Sequence, residues 1–181
     1  MATSVTYDPL SLLREIEQRS LRLARGLPLQ VEAKPLWSGI GFRLANLRLV
    51  VAMEETQEVL TYPALSRIPG TRPWVKGIAN VRSSLLPVMD LKGCLGKGAT
   101  AITADSRVLA VHHNEIYAGL LVDEVLGLKH FFLEEDRVQA VPHVEAVLNP
   151  YLQGAFLRDG QYWGVLSLKA LVTSPLFMMV T

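Results

Sequence analysis

Residues 68 to 91 constrain the fold more than any other stretch of this chain. Pro69, Gly70 and Pro73 punctuate a turn, after which Val75 to Val81 and Leu85 to Met89 read as two short, mostly apolar strands. Proline fixes φ and removes a backbone donor, so the chain has to bend before it can pair. Two polar residues, Asn80 and Arg82, interrupt a pattern that otherwise reads as buried.

The same style covers most of the chain. From Trp37 the period is two: Ile40, Phe42 and Leu44 alternate with Gly41, Arg43 and Ala45, Ala45-Asn46 turns, and Leu47, Leu49 and Val51 return. Thr56 to Leu60 continues as a third strand. Arg107 to His112 and Ile116 to Val122 form a hairpin across His113-Asn114-Glu115, and Phe156-Leu157 with Tyr162 to Ser167 form another across Asp159-Gly160. Between them, 131–137 reads as a loop and 145–152 as a short helix despite Pro150. Leu91 to Leu95 and Leu168 to Val172 read as helical turns. Many short strands with frequent turns favour a barrel or sandwich over a doubly wound sheet.

Ahead of this region, residues 8 to 25 read as a helix. Asp8 is a good N-cap, Pro9 suits the first helical position, and Leu10, Leu13, Ile16, Leu21, Leu23 and Ala24 recur at mostly helical spacing. Gly26 and Pro28 end it, and 29–35 is a linker. The expected organisation is an extension over 1–36 and one domain over 37–181. The helix's apolar stripe requires a partner, either the chain's own domain or another helix. The apolar end, Pro175 to Val180, either packs back on the body or marks a contact surface.

Composition narrows the function. Eighteen basic and 17 acidic residues leave a formal charge of +1, which supplies no field to attract phosphate backbones or an anionic membrane. Apolar runs such as Val108 to Val111 are far shorter than the roughly 20 residues that span a bilayer. Asp8, Arg14, Glu15, Glu17 and Arg19 interrupt what a secretory signal would keep apolar, so the expected location is the cytoplasm. Cys94 is the single cysteine, which excludes an internal disulfide framework and reads as a small core hydrophobe.

The spacing of Pro69, Gly77-Ile78-Ala79-Asn80-Val81-Arg82 and Pro87-Val88-Met89-Asp90-Leu91 resembles the signature of the CheW-like family. Gly119 to Gly127 is similar to the family's second-half motif, and Gly154 to Gly160 with Gly164 to Leu168 to its closing motif. Together these cover 37–174. The resemblance implies a mainly β fold of two five-stranded β-barrel subdomains packed around an apolar seam, with short helices and here an N-terminal helical extension. It also implies a non-enzymatic scaffold. The implied partners are the CheW-like regulatory domain of a CheA-type histidine kinase and the cytoplasmic tip of a methyl-accepting chemoreceptor, in membrane-associated receptor arrays. Nucleic acid and membrane insertion are not implied, nor is any cofactor, metal or catalytic residue. The extension, the Trp37-Ser38-Gly39-Ile40-Gly41-Phe42 start and Trp74 resemble the branch serving type IV pilus twitching motility. Two residues depart from the pattern: Ser83 stands where the family has glycine, and Ser167 where it has aspartate.

A search for catalytic chemistry finds little. His112 and His113 are neighbours on a strand and point to opposite faces, so they cannot share a metal, and His130 and His143 read as surface or turn residues. Gly93 to Lys97 lacks the spacing of a phosphate loop, and Gly39-Ile40-Gly41 opens a strand where a dinucleotide fingerprint opens a helix. Arg82-Ser83-Ser84 has no histidine and acid partners in sequence. A ligand-binding or catalytic barrel needs a polar constellation in a pocket, and none is visible. An RNA-binding barrel needs a basic, aromatic-interleaved strand. By the family resemblance, Arg82, Asn80, Glu58 and Gly77 are the interaction residues, with Glu58 and Arg82 expected to pair across neighbouring strands.

Overall fold

The computed structural model describes residues 8–23, 35–142, 144 and 146–180. The chain divides into two units, Met1–Ala33 and Lys34–Thr181. In the first, helix α1 spans Pro9–Leu23. Asp8 Oδ1 accepts the Leu10 N–H at 3.4 Å, satisfying one of the donors a helix start leaves unpaired. Leu10, Leu13 and Ile16 are exposed. Ala24, Gly26, Pro28 and the linker up to Lys34 lie outside the described residues.

The second unit is mainly β. Its strands are β1 Leu36–Leu44, β2 Leu47–Ala52, β3 Glu58–Thr61, β4 Val75–Val81, β5 Ser84–Asp90, β6 Arg107–His113, β7 Ile116–Val122, β8 Glu124–Phe132, β9 Arg137–Val138, β10 Leu152–Arg158 and β11 Gln161–Leu166. Short helices α2 Leu91–Cys94 and α3 Leu168–Val172 follow the ends of β5 and β11, and α4 Pro175–Met178 follows α3. One sheet runs β3-β6-β7-β5-β4, and the other runs β8-β1-β2-β11-β10-β9. The expected two sets of five strands are therefore present, with the two-residue β9 added to the second. Ser66 and Ile78 exchange backbone hydrogen bonds of 2.9 Å, drawing the loop after β3 onto β4 at the other edge of the first sheet. In the second sheet β9 follows β8 through a turn in which the Asp136 carboxylate accepts the Phe132 N–H at 2.7 Å.

Pleating distributes the apolar residues among three clusters. Ala79, Leu86, Val88, Val108, Ala110 and Leu121 fill the interior of the first sheet. Val50, Phe131, Phe156 and Trp163 fill the second, with Phe131 and Phe156 stacked at 4.4 Å. The largest cluster draws on both sheets: Phe42, Leu49 and Val51 meet Leu109, Val111, Leu120 and Val122, with Leu168, Leu171 and Phe177 from α3 and α4. Val108 to Val111 thus face different cores alternately, which is why that run is continuously apolar. The apolar C-terminal end is divided: Phe177 packs back beside Trp74, their rings 6.3 Å apart, while Met178 and Met179 stay exposed.

Two elements differ from the sequence reading. The helix expected over 145–152 is only a 3-10 turn at Asn149–Tyr151, because Pro150 supplies no N–H and Leu152 already opens β10. Glu145 lies outside the described residues. The loop expected over 131–137 shrinks to residues 133–136, since β8 runs to Phe132 and β9 opens at Arg137. Strand β8 escapes detection because Gly127, at φ +80°, breaks its alternation, and its register against β1 slips between Gly41 and Phe42.

Candidate protein-interaction site

The β4–β5 hairpin displays the residues singled out by the motif. Its two connecting residues, Arg82 (φ +49°) and Ser83 (φ +66°), both lie in the left-handed region, as a two-residue hairpin turn of right-handed twist requires. Arg82 therefore sits at a turn tip instead of inside a strand. Glycine at position 83 would meet this geometry without a Cβ penalty, and Ser83 meets it with one. Ser83→Gly is expected to raise stability by about 0.5–1 kcal/mol, read as an upward shift in thermal midpoint; a fall would show that the serine makes a compensating contact.

Arg82 Nη2 donates to Glu58 Oε1 at 2.7 Å, with the arginine side chain 80% exposed and the glutamate 27%. The expected pair forms, but not across neighbouring strands. Strand β3 hydrogen-bonds to β6 and lies at one end of the sheet order, whereas β4 lies at the other. The pair therefore spans the opening between the two sheet edges. Gln57, Ser84, His112 and Tyr117 complete a shallow recess of about 300 Å³ around it. His112 and Tyr117 are cross-strand partners, and their rings meet edge to face at 6.0 Å.

Asn80 and Leu85 are opposite one another on the outer face of the hairpin, next to the Ile78 and Pro87 pair. Asn80 is exposed, and Leu85 is 68% exposed. Ala79, Leu86 and Val88 take the inner face. The sequence reading passed over Leu85. Its signal was parity: once Leu86 and Val88 point inward, Leu85 must point out. Gly77 is buried and presents nothing to a partner. It follows an irregularity in the β4–β5 register, with φ +139°, and an added Cβ would collide with the Ser66 carbonyl oxygen. Its glycine requirement is steric and conformational.

The remaining motif residues support the barrels. Asp90 is fully buried. Its carboxylate accepts the Thr100 hydroxyl at 2.6 Å, the Thr100 N–H at 2.8 Å and the Gly93 N–H at 3.2 Å, and meets Lys76 Nζ at 3.1 Å. Burial pushes its pKa up, but these hydrogen bonds outweigh it and hold the carboxyl below its ordinary value. Asp123 accepts the N–H of Ala45, a turn residue at φ +54°. Ser167 Oγ accepts the Ala170 N–H at 3.3 Å, capping α3, and faces the buried Glu55 carboxylate at 3.3 Å. An aspartate at 167 would set two carboxylates side by side, so Ser167 and Glu55 suit each other.

Cys94 is buried, and burial together with the Asp90 charge pushes its thiol up to about 11. His112 is exposed beside Tyr117, His130 Nδ1 lies 2.7 Å from Ser38 Oγ, and His143 lies outside the described residues. Among the described residues no group of three or more histidine, cysteine, aspartate or glutamate side chains is placed to hold a metal, and no helix is long and apolar enough to cross a membrane.

The crystal structure of the scaffolding protein TtCheW from Thermoanaerobacter tengcongensis superimposes with a TM-score of 0.68 at 24% identity, covering 81% of this chain and all of that one, which establishes the fold. Protein PilI of Pseudomonas aeruginosa is 46% identical over 177 residues, 98% of both chains. Protein FrzA of Myxococcus xanthus is 35% identical over 101 residues, 56% of this chain and 63% of FrzA. The model of the CheW-like domain matches residues 38–176, which include the β4–β5 hairpin and Glu58, and the chain belongs to the CheW-like domain family.

Proposed function

We propose that this chain is a non-enzymatic cytoplasmic adaptor that couples the cytoplasmic tip of a chemoreceptor to a CheA-type histidine kinase, in a pathway controlling type IV pilus twitching motility. The observation that carries this reading is the face built by Arg82, Asn80 and Leu85. Arginine at a turn tip, steered by Glu58, offers a planar fork of donors in a fixed direction. An isolated exposed pair of this kind contributes only about 0–1 kcal/mol to folding, so stability is a weak reason to maintain it. Beside it, an exposed leucine supplies the apolar anchor on which interface energy concentrates. Family membership and the near full-length similarity to a protein named PilI support the same reading. The second unit forms the adaptor body, and the N-terminal helix belongs to an extension ahead of it.

A pull-down tests the proposal. The full-length chain, immobilised in a lysate of a twitching bacterium, is expected to retain a large histidine kinase and a methyl-accepting receptor together. Retention of neither would overturn the coupling role. Reproducible turnover of ATP, acyl or phosphoryl substrates, abolished by a pocket mutation, would overturn the non-enzymatic one.

A further inference from the structure

At the opposite end of β4 from Arg82 lies a second recess, a cleft of about 580 Å³. Val75 and Lys76 line it where β4 begins, the loop over 62–73 forms one wall, and Ile102 contributes to the other. Among the described residues three cations, Arg67, Arg72 and Lys76, line the cleft, and no carboxylate does. Arg67 and Arg72 are exposed, while the Lys76 side chain is 18% exposed and reaches Asp90. Leu65, Ile68 and Ile102 add apolar surface, with Ile68 and Ile102 facing solvent.

The cleft is built before anything enters it. Pro63, Pro69 and Pro73 fix φ along the loop. Thr71 Oγ1 donates to the Ile68 carbonyl at 2.9 Å, and the Arg72 N–H donates to the Val180 carbonyl at 3.0 Å. The segment leading to Ile102 is pinned by Thr100, which gives both its hydroxyl and its N–H to Asp90, the same carboxylate that holds Lys76. One buried acid thus ties the Ile102 wall to the start of β4. A preorganised cleft loses little conformational freedom on binding.

We propose that this cleft docks a segment of a partner polypeptide that carries a carboxylate flanked by apolar side chains. Charge complementarity selects the acid, since every charged side chain among the described lining residues is a cation and Asp90 matches only Lys76. The exposed isoleucines on either side select a polypeptide over a free anion, which would gain nothing from them. This site is separate from the Arg82 face and does not depend on which partners that face binds.

The test is an amide-shift titration of the isotopically labelled full-length chain with two blocked peptides, identical except for glutamates or lysines set between leucines, and with inorganic phosphate alone. The glutamate peptide is expected to shift amides of 62–76 and those around Ile102, and Arg67→Glu is expected to weaken it roughly tenfold with an unchanged melting temperature. Arg82→Glu should leave this binding intact. Three outcomes would overturn the proposal: no shifts up to millimolar peptide, equal binding of the lysine peptide, or phosphate reproducing the full effect as a plain anion site would.

Discussion

Arg82→Glu is expected to abolish the proposed kinase coupling while leaving the melting temperature within a few degrees of the native protein. Arginines at the centre of interfaces contribute about 2–4 kcal/mol on truncation, so reversal should weaken binding by about a hundredfold or more. Folding should hardly notice, because the side chain is 80% exposed and its pair with Glu58 is screened by water. Arg82→Lys is expected to fall between the two, since lysine keeps the charge and loses the fork. The charge swap Arg82→Glu with Glu58→Arg is decisive. It rebuilds the internal pair but presents the wrong sign at the tip, so binding should stay lost. Recovery of binding in the swap would show that Arg82 acts only by shaping the hairpin.

Removing Asp90 is expected to have the largest effect on stability. Asp90→Ala strands Lys76 and leaves two Thr100 donors and the Gly93 N–H unpaired. Breaking a buried ion pair costs about 3–5 kcal/mol, and the remaining exposure of Lys76 places this one near the lower figure. In a chain of this length that is a drop of about 6–12 °C in melting temperature. The pH dependence has a definite sign. Because the folded carboxyl titrates below its unfolded value, its contribution is complete above about pH 4 and fades as pH falls through the lower, folded pKa. Thermal melts of Asp90→Asn should lose that acid-side slope; an unchanged slope would assign it to other carboxylates.

Much of this was legible in the sequence, for reasons particular residues make plain. Strands β4 and β5 announced themselves because the prolines before them and Arg82-Ser83 between them leave no other local solution. The hairpins of β6 with β7 and β10 with β11 followed from alternation and from Asp159-Gly160. Strand β8 did not, because an edge strand half in water has no clean period, and Gly127 interrupts what there is. Of the site, Glu58 and Arg82 could be paired by resemblance, but their meeting across a barrel opening depends on sheet order, which no local pattern encodes. Gly77 was read by its motif as part of the contact surface. Only the Ser66 backbone above it shows why the position needs glycine. Leu85 was in plain view and was missed because a leucine next to a leucine looks like core.

The parallel pairing of β2 with β11 sets the order in which this chain can be made. Leu49 and Val50 have their sheet neighbours at Gly164 and Val165. During synthesis at about 5–20 residues per second, the β1–β2 hairpin therefore waits roughly ten seconds with one edge open and apolar side chains uncovered. Non-local pairing of this kind folds slowly and leaves open edges exposed to mispairing. A ribosome-bound chain stopped before β11 should accordingly be a holdase client and protease-sensitive across β1 and β2, while the first sheet, whose strands are all in place by Val122, should be the more protected.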